Sequence, residues 1–260
     1  MREAVAAART ARHELGLGLD QPVHDLLAVV EETAGLAVGV LALPDGVAGV
    51  YIERRERAFV FINGNQALAR QRFTLAHELG HHRLGHGAVV DGVDAVEGRS
   101  SDPREQQANA FAGELLAPEQ ALRGWMEARG DPLLTVEVLV RIAAWFAVSA
   151  TAAYVRLIEA GVLQRASQKR DLKRALDRGQ HKGVEESLGA PSVEDQLAQI
   201  QRENALPRLP ALLRDNALGA YAAGLIDLDR LAQIVGRDRD TVEQAMSAMG
   251  IAPAEAEPDW

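Results

Sequence analysis

Apolar and polar positions recur with a helical period along most of this chain, and switch to a two-residue period in one short stretch. Arg2–Leu15 sets Ala4, Val5, Ala8, Ala11 and Leu15 on one face, with Gly16 as a stop. A second helix is predicted from Pro22, a favoured first-turn residue, to Gly35. Between Leu36 and Ile62 the runs LAVGVLAL, VAGVYIE and AFVFI are short and β-rich, broken by Pro44-Asp45-Gly46 and by the charged turn Glu53–Arg57. They predict a small antiparallel sheet. Asn63-Gly64-Asn65 then turns the chain into a long helix over Gln66–Gly87. Ala88–Ser101 is polar and glycine-bearing, which reads as a loop. Asp102 caps and Pro103 opens the next helix, which stops at Pro118. Three more are predicted at Pro118–Arg129, Thr135–Ala147 and Ser149–Gly161.

From Arg165 the composition changes. RASQKRDLKRALDRGQHKG is basic and poor in large apolar residues, so it reads as a solvated helix or linker. Val193–Ile251 is helical and acidic, with an apolar pattern of its own, and the tail AEAEPDW has little to fold with. The predicted class is α+β and mainly helical, with a small antiparallel sheet packed on the long helix and a helical C-terminal region. Its parts are a core over residues 1–130, a helix-turn-helix-like pair over 131–164, a basic helix or linker over 165–190, a C-terminal helical module over 191–251 and a disordered tail over 252–260.

Composition narrows the chemistry. None of the 260 residues is a cysteine, which excludes disulfides and thiolate-bound metal. No stretch is apolar enough to span a bilayer, and the N-terminus lacks the apolar core of a secretion signal, so a cytoplasmic location is expected. A formal charge of −9 argues against a surface that is nucleic-acid-binding throughout.

The long helix contains His77-Glu78-Leu79-Gly80-His81. At 3.6 residues per turn, His77 and His81 share a face and can converge on one zinc ion, with Glu78 beside them as a general base. A catalytic zinc keeps three protein ligands and one open position. Among the partners for the third place, His82 points about 100° away from His81 around the helix and His86 leans off that face, so neither joins easily. Glu105, on the helix opened by Pro103, is the better candidate, with Asn109 one turn later to support a ligand histidine. Asp91, Asp94 and Glu97 in the predicted loop remain alternatives. His82, His86 and Tyr51 are polar candidates for steadying an oxyanion. Ala58–Ile62 is the first choice for a strand edge along which a substrate backbone pairs, against the plainer reading of an interior strand.

The blocks RQRFTLAHELGHHRLGH and EQQANAFAGELLAP, followed by FAVSATAAYVRLIEAGVL, resemble the ImmA/IrrE family of zinc metallopeptidases over roughly Val23 to Leu163. The resemblance implies zinc held by His77, His81 and Glu105, with Glu78 as base. It also implies an intracellular enzyme that cuts a helix-turn-helix repressor to release a stress, phage or mobile-element response. LLAP departs from the family's usual ending, and Gln107 stands where a second acid is common.

LDRLAQIVGRDRDTVEQAMSAMG fits a helix-turn-helix, but Asp238, Asp240 and Glu243 on its reading helix would repel phosphates, so DNA binding is not expected. The alternative to an enzyme is a non-catalytic, antitoxin-like or regulatory protein that binds a toxin or regulator through these helices.

Overall fold

The computed structural model describes residues 1–23, 25–54, 57–188 and 208–252. Helix α1 (Arg2–Glu14) is followed by α2 (Leu26–Thr33), whose start is set by Asp25. The Asp25 side chain accepts a hydrogen bond from Ala28 N, so the helix begins later than Pro22, because the cap and not the proline defines its first turn. Strands β1 (Leu36–Leu41), β2 (Val47–Arg54) and β3 (Arg57–Asn63) lead into α3 (Leu68–Leu84), which Gly85 ends in a left-handed conformation.

The sheet is mixed, with strand order β1-β3-β2-β4. β2 and β3 form an antiparallel pair, whereas β1 lies parallel to β3 on its other side, which corrects the expectation of a purely antiparallel sheet. β3 is therefore interior. Ala58–Ile62 offers no edge to a substrate, because both sides of its backbone are already paired. Val38, Val60 and Ile62 are buried in the core that the sheet shares with α3.

Residues 88–101 are not a plain loop. They hold β4 (Val89–Gly92), paired antiparallel with β2, and one helical turn, α4 (Val93–Val96). Four residues with two valines and an aspartate give no alternation long enough to read, which is why the pattern hid this strand. Helix α5 (Pro103–Leu116), capped by Asp102, crosses α3 closely. Gly80 permits that approach, since a Cβ there would stand 3.2 Å from Ala108 Cα and from Phe111 Cβ.

Helices α6 (Glu119–Glu127), α7 (Val136–Phe146) and α8 (Ala150–Glu159) complete the main core, with Thr135 and Ser149 capping the last two. Arg156 on α8 reaches buried Glu114 on α5 at 2.6 Å and also binds Ala117 O. The pair thus locks α8 against the helix that carries Glu105. The basic stretch forms α9 (Ala166–Asp177) and α10 (Gln180–Ser187). Leu172 and Leu176 of α9 are buried in the main core, so the segment is docked on one face and solvated on the other.

Beyond, α11 (Ala211–Ala222), α12 (Leu228–Val235) and α13 (Arg239–Met249) enclose a separate small core that includes Tyr221, Leu231, Ala232, Val242 and Met246. Arg208 exchanges backbone hydrogen bonds with Val40 and pairs with Glu31 at 2.6 Å. The part of the predicted C-terminal module before Arg208, and the tail after Ala252, lie outside the described residues. No single described helix is long and apolar enough to cross a membrane.

Candidate metal centre

His77 and His81 sit one turn apart on α3, fully buried, with their Nε2 atoms 3.0 Å apart. Glu105 comes from the first turn of α5, with Oε2 3.2 Å from His77 Nε2 and Oε1 3.6 Å from His81 Nε2. A fourth donor enters from β4. Asp91 Oδ2 lies 3.4 Å from both Nε2 atoms, and the residue is 2% exposed. Four donors at about 2.0–2.1 Å around a tetrahedral zinc stand about 3.3 Å from one another. The separations of 3.0, 3.2, 3.4, 3.4 and 3.6 Å, the second and last to different Glu105 oxygens, lie near that edge, and one donor atom from each residue lies within 4.8 Å of the others, so the four side chains could hold one divalent ion.

Strand register explains Asp91. It pairs opposite Gly49, so its side chain falls on the same face of the sheet as that glycine, toward α3. A shift of register between Val47 and Gly49 sets this phase, and Val90 consequently faces outward at 68% exposure. Of the other loop acids, Glu97 is paired with Arg70 and Arg99, and Asp94 with Arg99. Neither reaches the histidines.

The histidines are aimed by their other nitrogens. His77 Nδ1 donates to Asn109 Oδ1 at 3.0 Å, and Asn109 Nδ2 donates to Ala95 O at 2.8 Å, which fixes the amide orientation. His81 Nδ1 stands 2.9 Å from His86 Nδ1, and His86 Nε2 is 3.1 Å from Gln107 Oε1. The amide oxygen can only accept, so His86 donates from Nε2, accepts at Nδ1, and leaves His81 Nε2 free for a metal. Gln107 thereby has a task that its type alone did not reveal. His82 Nδ1 pairs instead with the Tyr51 hydroxyl at 2.8 Å, outside the donor cluster. Burial and then the charge of Glu53 push the Tyr51 hydroxyl up to about 12, while burial and Arg83 lower His82.

Glu78 is fully buried, and its carboxylate makes no hydrogen bond of good geometry, with the Asp91 carboxylate as its close neighbour. Burial first, then the charge of Asp91, hold its pKa well above the ordinary carboxylate range. Space for it is made by Gly49, where a Cβ would lie 2.1 Å from Glu78 Oε1. Burial works against a charge on His77, yet the carboxylates of Asp91 and Glu105 raise it to about 9. Burial and the neighbouring His77 lower His81 to about 4.

No curated protein matches the chain. Residues 33–158, which contain the whole donor cluster, match the model of a peptidase family described as the IrrE N-terminal-like domain. That segment, with its paired histidines on α3 and its acid on α5, is the part of the chain that matches the IrrE N-terminal-like peptidase family.

Proposed function

We propose that this protein is a zinc-dependent endopeptidase, and that its target is a helix-turn-helix transcriptional repressor. The observation that carries the enzymatic part is Glu78. A buried carboxylate without a well-formed hydrogen bond costs several kcal/mol in general, and a purely structural metal site has no use for one beside its ligands. The family match supports the peptidase class, and the resemblance of the paired motifs supports a repressor as substrate.

In this reading His77, His81 and Glu105 hold zinc, while Asn109 and His86 keep the two rings in the binding tautomer. Zinc, when bound, supplies Lewis acidity that polarises the scissile carbonyl and lowers the pKa of water from about 15.7 toward about 7. Glu78 takes the proton lost by water as the new C–O bond forms at the carbonyl carbon. It then passes that proton to the amide nitrogen as the C–N bond breaks. His86 is committed to His81, which leaves Tyr51 and His82 to steady the oxyanion. The Tyr51 hydroxyl stays protonated at neutral pH and so has a proton to offer an oxyanion. The C-terminal helices α11–α13 would bind a regulator or toxin.

Asp91 favours a second reading. Four protein donors complete a tetrahedral shell in the manner of structural zinc, which suits a non-catalytic, antitoxin-like binding protein. Incubating the protein with a helix-turn-helix repressor, where one is encoded beside it, separates the two. Glu78→Gln should keep one zinc per chain and lose cleavage, whereas His81→Ala should lose the metal. A Glu78→Gln protein that still cut the repressor would remove the mechanism.

A further inference from the structure

We infer that the resting metal centre is closed by the chain itself: Asp91 occupies the fourth coordination position, and that position opens when strand β4 leaves β2. The inference rests on the zinc reading above and concerns how access to that site is controlled.

Three independent features meet here. The Asp91 carboxylate is buried, and its Oδ2 makes no hydrogen bond of good geometry but stands 3.4 Å from both histidine nitrogens. A cation bound between them is what would offset that burial. Second, β4 covers the strand beside Glu78. β2 is paired with β3 on one side and, from Val47 to Tyr51, with β4 on the other. A substrate backbone seeking the β2 edge finds it occupied by the strand that brings the extra ligand.

Third, β4 is built to come away. It has four residues, it turns its one large exposed side chain, Val90, to solvent, and Gly85 and Gly87 with φ of 68° and 78° precede it. Short one-sided strands of this kind open at a small fraction of global stability. The segment after it is anchored by Arg70 to Val93 O and by Asn109 to Ala95 O. Asn109 also holds His77, so displacement of this segment would be felt at the ligand ring. Coordination state and strand position are therefore mechanically joined.

The test uses the full-length chain loaded with cobalt(II), whose visible spectrum reports coordination, titrated with acetohydroxamate as an exogenous metal-binding probe. The wild-type spectrum should not change, while Asp91→Ala and Asp91→Asn should take up the probe. Zinc affinity, measured by competition with a chelator, should fall by about 10–100-fold in both variants. Hydrogen exchange at Val89–Gly92 should slow at least tenfold when wild type binds zinc and should not slow in Asp91→Asn. Uptake of acetohydroxamate by wild type at one equivalent of probe per metal would overturn the inference, and needs no variant to fold. So would β4 exchange that is indifferent to zinc. The Glu78→Gln cleavage assay tests the peptidase reading on its own, so either can fail while the other stands. A chain that binds no metal at all would overturn both.

Discussion

The region of the candidate metal centre and the three helices α11–α13 are packed by opposite rules. Around α3, ionisable groups are buried in numbers: His77, Glu78, His81, Asp91 and Glu105 all lie below 9% exposure. In α11–α13 no charged residue is buried among the described residues, and the small core is apolar apart from the Tyr221 hydroxyl. Its charges lie outside, where Arg239 pairs with Asp229 at 3.0 Å and Glu243 at 3.4 Å. Buried charge is costly and persists where chemistry uses it. One region spends stability on a site. The other is an ordinary apolar core with its charged groups left at the surface.

The largest effect should come from removing metal. Zinc at 1,000 times its dissociation constant stabilises the state that binds it by about 4 kcal/mol. A chelator should therefore lower the melting temperature of the α3–α5 region and speed exchange of its amides, while amides of α12 and α13 keep their rates. Equal responses from both regions would mean that they fold as one unit and would dissolve the contrast.

Next comes Gly49→Ala. The added methyl group would occupy the place of Glu78 Oε1, so the carboxylate must move while the metal donors stay. Peptide cleavage should drop about 100-fold, within the range that a positioned acid–base group contributes, and zinc content should remain at one per chain. Asn109→Ala acts on the other partner. It frees His77 Nδ1, and zinc affinity should fall about 10–100-fold, read by chelator competition.

Acidity sharpens the contrast further. In metal-free protein, His77 titrates near 9 instead of at its ordinary 6.5. A folded-state value above the unfolded one means stability that is complete below about 6.5 and is lost as pH rises through 9. Glu78, also raised, loses stability in the same direction. His81, lowered to about 4, contributes nothing to this window, because its stability is lost on acidification. Metal-free protein should thus melt at progressively lower temperature between pH 6.5 and 9. Zinc, which needs His77 deprotonated, should flatten the trend and release a proton on binding, measurable by calorimetry in buffers of different ionisation enthalpy.

Much of this arrangement was legible in the residues, for reasons that differ by element. The i, i+4 spacing puts His77 and His81 on one face whatever surrounds them, and the Asp102-Pro103 start sets the phase of α5, so Glu105 and Asn109 also meet His77. Asp91 was visible as one loop acid among three, and nothing local raised it above Asp94 or Glu97. Its position comes from strand pairing and a register shift, which are tertiary facts. The partnership of His86 with His81 escaped the helical-wheel argument because Gly85 breaks the helix and turns His86 back, with its N–H bonded to His81 O. β1 was predicted as a strand correctly and assigned the wrong direction, since alternation reports a face and carries no polarity.

The smallest expected effect pairs with the Gly49 experiment. Gly219 lies inside α11, at ordinary helical φ, and a Cβ there would meet nothing within 4 Å. Glycine inside a helix costs roughly 0.5–1 kcal/mol relative to alanine, so Gly219→Ala should stabilise the C-terminal helices by about that amount. Denaturant unfolding followed by hydrogen exchange in α11–α13 reads the change, and cleavage should not alter. The same substitution thus removes activity at Gly49 and adds stability at Gly219, because one glycine makes room for a reacting group and the other faces open space. A loss of cleavage from Gly219→Ala would show that these helices govern the site, and that the two regions are functionally one.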